Sequence, residues 1–117
     1  MDAQVQEYME KYPEDVREMF AALRQMILDC SEAEEKLWAR LPSYYVGERF
    51  VRLIPFKDHI NIEASAAQGH RAALTGYKMT PKGMVQVFSG QKLPREALER
   101  IFAETLRGAD APEGGNR

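Results

Sequence analysis

The chain has 117 residues, one domain's worth, and with 44% apolar residues and 29% charged ones it has the composition of an ordinary globular protein. A single cysteine, Cys30, excludes an internal disulfide, no apolar run is long enough to span a bilayer, and the acidic start lacks the basic and apolar segments of a secretory signal, so a cytoplasmic protein is expected. The net charge of −2 hides an asymmetry: residues 1–35 hold ten acids and three bases, whereas residues 36–107 hold twelve bases and six acids. That split describes either solvated helix faces or an acidic ridge that meets a cation and a basic face that meets an anion or partner.

The first predicted element is a short helix from Asp2 to Lys11, capped by Asp2, with Val5, Tyr8 and Met9 on one face. Pro13 suits the start of a second helix, and Glu14 and Asp15 favour its positive end. Val16, Met19, Phe20, Leu23, Met26, Ile27 and Cys30 then recur at the spacing of one helical face, the strongest periodic signal in the chain. Cys30 ends that stripe and reads as a buried small hydrophobe rather than a reactive thiol.

Alternation takes over after Glu35. Leu37, Ala39 and Leu41 face one way and Lys36, Trp38 and Arg40 the other, with Pro42 ending the strand and "SYYVGE" forming a turn. "RFVRLIPF" supplies a dense run, Phe50, Val51, Leu53, Ile54 and Phe56, suited to an inner strand, and Pro55 marks an edge or bulge. Lys57 and Asp58 form a two-residue hairpin turn, which calls for positive φ angles that Asp tolerates. "HINIE" alternates with Ile60 and Ile62 inward and His59, Asn61 and Glu63 outward.

"ASAAQGHRAALTG" reads as a weak helix, and "GMVQVFS" as a strand with Val85 and Val87 opposed to Gln86 and Phe88. Pro94 opens a last helix with Leu98, Ile101, Phe102 and Leu106 inward, and residues 108–117 read as a disordered tail. The expected fold is α+β in two layers, an antiparallel sheet with helices packed on one face, as one domain over 1–107.

Ordered strings in this chain resemble the YdhG-like domain of unknown function. They are "EYMEKYPEDVREMFAALRQMIL", "EEKLWARLPSYYVGERFVRLIPFKDHINI" and "GYKMTPKGMVQVFSGQKLPREALERI". The matching residues are Pro13, Glu14, Arg17, Leu23, Arg24, Lys36, Pro42, Phe56, Lys57, His59, Ile60, Lys82 and Gly83, and the resemblance spans about residues 4–107. Arg40 stands where that family often has glycine, and "SGQKLP" replaces its "PLDKPLP". The resemblance implies a frataxin-like two-layer fold and weak iron binding and delivery to an iron-accepting protein, with no tightly held cofactor.

The residues offer two candidate sites. Glu7, Glu10, Glu14, Asp15 and Glu18, at helical spacings of three and four, form an open carboxylate surface of the kind that would hold iron weakly. No His or Cys pattern of a tight metal site accompanies them. The alternative is a protein- or small-anion-binding face: Trp38 between Lys36 and Arg40, with Arg52, His59, Asn61, Glu63 and Gln86 on neighbouring strands and, if the face is a pocket, Tyr44, Tyr45, Lys57 and Lys82 as its rim. No serine sits in a nucleophile-elbow pattern and "KMTPKG" is too poor in glycine for a phosphate loop, so no enzyme is expected. A nucleic-acid role ranks third and is not expected for a chain of net charge −2.

Overall fold

Two helices open the chain, and local chemistry sets their ends. In the computed structural model, which describes residues 1–108, α1 spans Ala3–Met9 and α2 spans Glu14–Cys30. The Asp2 carboxylate caps α1 by accepting from the amides of Gln4 at 2.9 Å and Val5 at 3.1 Å. Pro13 precedes α2, and its carbonyl accepts the Arg17 amide at 3.0 Å. The periodic stripe of α2 is buried as predicted at Val16, Phe20, Leu23, Met26 and Ile27, with Met19 and Cys30 at its margins.

The strands are β1 (Glu34–Trp38), β2 (Leu41–Val46), β3 (Arg49–Pro55), β4 (His59–Ala64), β5 (Lys78–Met79) and β6 (Val85–Phe88). They form one antiparallel sheet in the order β1-β2-β3-β4-β6-β5. A 3-10 segment, Ser65–Leu74, kinked at His70, follows β4, and α3 (Arg95–Arg107) closes the described chain. Val51, Leu53, Ile60, Ile62, Val85 and Val87 point to the inner face, where they meet α2 and the buried side of α3 (Leu98, Ile101, Phe102 and Leu106). This is the expected two-layer α+β arrangement. No described helix is long and apolar enough to cross a membrane. The expected tail falls outside the described residues, apart from Gly108.

Two local expectations are corrected. The strand predicted to run through Arg40 ends at Trp38; Ala39 and Arg40, at φ 50° and 67°, turn the chain, and "SYYVGE" lies largely in β2. Positive φ at both central residues is the signature of a type I′ hairpin turn, normally given to Asn and Gly. Pro42 does not end a strand. In a two-residue hairpin the flanking pair, Trp38 and Leu41, carries the hydrogen bonds, so Pro42 opposite Leu37 occupies a non-bonded position toward β1. Its missing N–H faces β3, where the ladder starts only at Ser43–Arg52.

The Lys57–Asp58 turn lies where expected, between Phe56 and His59, with the Phe56 amide donating to the His59 carbonyl at 2.8 Å. It forms without positive φ, since Ala39 and Arg40 are the non-glycine residues that adopt it among the described residues. Phe56 is not core: it stands on the outer face and is 42% exposed. A residue paired with His59 across a two-residue turn must share its face.

Candidate functional site: the outer face of the sheet

Strand parity sends a second set of side chains to the face away from the helices. β1 contributes Glu34, Lys36 and Trp38, β2 contributes Leu41, Ser43 and Tyr45, and β3 contributes Phe50, Arg52 and Ile54. β4 adds His59, Asn61 and Glu63, and β6 adds Gln86 and Phe88. Five of the chain's eleven Phe, Trp and Tyr residues (Trp38, Tyr45, Phe50, Phe56 and Phe88) are therefore spent outside the core. A sheet whose outer face served only to meet water would carry mostly polar side chains there.

Arg52 is the centre of this face. Its guanidinium donates to Ser43 Oγ at 3.1 Å, Tyr45 Oη at 2.9 Å and Glu63 Oε1 at 3.3 Å. It also packs against the rings of Trp38 at 4.2 Å and Phe50 at 4.0 Å. These contacts leave Arg52 only 8% exposed on a face that no described helix covers. Trp38, its outermost cover, remains 49% exposed. Lys36 Nζ lies 4.7 Å from the Tyr45 ring centre, continuing the pattern of cation on aromatic toward the β1 edge.

Across the sheet, three rings stand in a row. His59 is stacked between Phe56, at 4.4 Å and an interplanar angle of 6°, and Phe88, at 4.6 Å and 25°. These separations follow the ~4.8 Å spacing of adjacent strands. The Asp58 carboxylate lies 2.8 Å from His59 Nδ1 and fixes the ring's orientation. With both ring faces covered, His59 is part of the platform and not a free ligand. Lys78 Nζ lies 5.7 Å from the far ring, Phe88. Asn61 and Gln86, opposite each other, share a 3.0 Å hydrogen bond between the ring row and the Arg52 cluster.

Lys36, Trp38, Arg52 and His59 thus share the outer face, and Arg40 and Lys57 occupy the β1–β2 and β3–β4 turns at one end of it. Two other expected members fall elsewhere. Tyr44 points inward and is fully buried, because parity opposes it to Tyr45. Lys82 lies at the opposite end of the sheet, lining a cavity of about 530 Å³ with Glu48, Arg49, Phe50, Glu63 and Gln68. Phe56, Phe88 and Phe50 complete the platform and were absent from the sequence-derived set.

Tyr44 belongs to a polar hub under the helices. Glu35 accepts from the Asp2 amide at 2.7 Å, Arg24 Nε at 2.6 Å and Nη2 at 3.3 Å, and Tyr44 Oη at 2.8 Å. Burial alone would raise the Glu35 pKa, but the hydrogen bonds from Arg24, Asp2 and Tyr44 outweigh it and hold the carboxyl below its ordinary value. Burial, and then the bond to Glu35, pushes the Tyr44 hydroxyl far up. The hub ties α1, α2, β1 and β2 together.

The five carboxylates proposed for a metal are all exposed on α1, on α2 and at the bend between them. Both helices spend their inward stripes on the core, which leaves these acids spread over outer surfaces. Among the described residues, no group of three or more His, Cys, Asp or Glu side chains is placed to hold a metal ion. Among the described residues Lys11 and Arg17 make no direct ion pair with them: Lys11 Nζ lies 4.4 Å over the Tyr8 ring, and Arg17 Nε donates to the Tyr12 carbonyl at 3.0 Å.

Comparison with known proteins adds a family and no activity. No curated protein and no solved structure matches the chain. Nothing found links it to YdhG-like or frataxin-like proteins. A family model described as a domain of unknown function, DUF5655, matches residues 5–103, nearly the whole of the described fold, and the chain belongs to that family.

Proposed function

We propose that this protein is a non-enzymatic binding module, and that its outer sheet face receives a partner bearing negative charge and flat apolar groups. The observation that carries this reading is the preorganised Arg52 cluster beneath Trp38. An arginine held by three hydrogen bonds and packed against two rings fixes the Trp38 ring above it, so a partner that meets that ring bears little further ordering cost. Apart from Met1, the large apolar residues that remain exposed among the described residues are Trp38 and Phe56, and both lie toward the same end of this face. Arg40 and Lys57 flank them in the two turns. Aromatic anchors beside cations are the composition of binding hot spots.

The iron-delivery reading implied by the resemblance has less behind it, because it rests on dispersed, exposed carboxylates. Anaerobic calorimetry with ferrous ion tests it directly: heat that vanishes when Glu7, Glu10, Glu14, Asp15 and Glu18 are neutralised would restore it over the sheet face.

The sheet-face reading is tested by affinity capture on immobilised wild type, Trp38→Ala and Phe56→Ala, with bound species identified by mass spectrometry. Species retained by wild type and lost from both variants are expected. Identical sets on all three proteins would refute the reading. Trp38 is the sole tryptophan, so its fluorescence reports on this face alone, and each captured species must shift its emission.

A further inference from the structure

Resting on that reading, we propose that the flat groups and negative charge belong to one molecule: a single-stranded nucleic acid, whose bases stack on the Trp38–Phe56 end of the sheet. Three features of the face support this occupant over an acidic protein. The first is the row of rings. Phe56, His59 and Phe88 stack at 4.4 and 4.6 Å, and the row stops at Phe56, whose own exposure is 42%. A planar base continues such a row; an aliphatic or carboxylate side chain does not.

The second feature is the ground beside Phe56. The β2–β3 ladder stops at Ser43–Arg52. Continued at that register, Leu41 stands opposite Ile54 and the turn residue Ala39 opposite Phe56. Among the described residues no ring therefore occupies the next place in the row, and the positions between Phe56 and Trp38 carry aliphatic side chains. The two anchors sit two strands apart, roughly 10 Å across the sheet, a span within reach of a short unpaired strand. A duplex hides its base faces in its own stack and offers this platform nothing.

The third feature is charge. Lys36, Arg40, Lys57 and Lys78 surround the aromatic face, and Arg52 sits within it. Of the acids on this face, Glu63 is paired with Arg52, while Asp58, bonded to His59, and Glu34, on β1, remain open to solvent; Lys36, Arg40, Lys57 and Lys78 outnumber those two and meet phosphate. The chain's net charge of −2 is no obstacle, because the surplus acids lie in residues 1–35, chiefly on the helices of the opposite layer. The Arg40 backbone also departs from the turn's preferred glycine, at φ 67°, and so keeps a cation at the hairpin tip.

The experiment uses fluorescein-labelled ten-nucleotide dT and rU strands, the matching duplexes, and labelled polyglutamate, with anisotropy read against wild type, Phe56→Ala and Arg40→Glu. Phe56 is exposed, so its truncation leaves the core intact, and coincident thermal unfolding of the three proteins confirms folding. Single strands are expected to bind more tightly than duplex, and Phe56→Ala to weaken them about tenfold. With three phosphates neutralised, raising salt from 50 to 200 mM costs roughly twentyfold in affinity. No binding of either single strand at about 0.1 mM protein, within the range of ordinary non-specific affinities, would overturn the proposal. So would equal affinity for duplex, or a Phe56→Ala variant that binds as well as wild type. Polyglutamate bound in place of the single strands, and lost in Arg40→Glu, overturns the nucleic-acid proposal while leaving the acidic-partner reading intact. If no probe binds and the capture sets are identical, both readings fail.

Discussion

Replacing Glu35 with alanine should be the most damaging single change outside the apolar core. The Glu35 side chain is 8% exposed and accepts four hydrogen bonds, from the Asp2 amide, from two nitrogens of Arg24 and from Tyr44. Truncation leaves the fully buried Tyr44 hydroxyl without its acceptor, a loss of about 1–3 kcal/mol. It also strands the Arg24 charge. Breaking a buried ion pair costs about 3–5 kcal/mol, but Arg24 is 20% exposed and recovers part of that from water. A net destabilisation of about 3 kcal/mol follows. Unfolding entropy for a chain of this length is about 0.25 kcal/mol per degree, so the midpoint should fall by about 12 °C.

Circular dichroism melts and urea titrations of wild type, Glu35→Ala, Tyr44→Phe and the double variant measure both the loss and the coupling. Coupling of about 1 kcal/mol between the two sites is expected. The effect has a pH signature. Glu35 titrates lower in the folded chain than in the unfolded one, so its stabilisation is complete above the unfolded carboxyl value, near 4.3. It is lost as pH falls through the lower folded value. The gap between wild type and Glu35→Ala should therefore narrow in acid. A Glu35→Ala protein within about 0.5 kcal/mol of wild type at neutral pH, where most surface substitutions fall, would refute the hub as a determinant of stability.

Two further outcomes test the turn and the cysteine. Arg40→Gly relieves a left-handed backbone at a residue with a Cβ, and should raise stability by about 1 kcal/mol while weakening any anionic partner; an unchanged urea midpoint would show that the turn is not strained. Burial pushes the Cys30 thiol up, so its reaction with a disulfide reagent at neutral pH should be slower than that of a small free thiol and should accelerate as pH rises. A rate equal to or above that of the free thiol would contradict its placement at the margin of the α2 stripe.

The sequence alone determined whatever depends on local periodicity. The α2 stripe from Val16 to Ile27, the inward Ile60 and Ile62 of β4, the opposition of Val85 and Val87 to Gln86 and Phe88, and the buried side of α3 all follow from side-chain spacing, because a core needs one continuous apolar face. The Lys57–Asp58 turn was legible too, and with it the face of Phe56. Once His59 is placed outward, hairpin geometry puts its partner across the turn on the same side, yet hydrophobicity argued for the core. The β1–β2 turn was not legible: Ala39 and Arg40 carry no turn chemistry, and Pro42 is tolerated in β2 because its missing N–H lies beyond the start of the β2–β3 ladder.

Tertiary structure decided the candidate site. Residues on five strands reach one surface through pairings with no short-range signal, and the position of an arginine between two rings depends on the register of three strands at once. It also separated residues that sequence grouped together, sending Tyr44 beneath the helices and Lys82 to the far end of the sheet. The acidic stretch of residues 1–35 was plain in composition, but the dispersal of its carboxylates was not, because helix packing chose which side of α1 and α2 faced the core and thereby spread the charges over solvent. Local pattern says which side chains leave the core; only the assembled sheet says which of them meet.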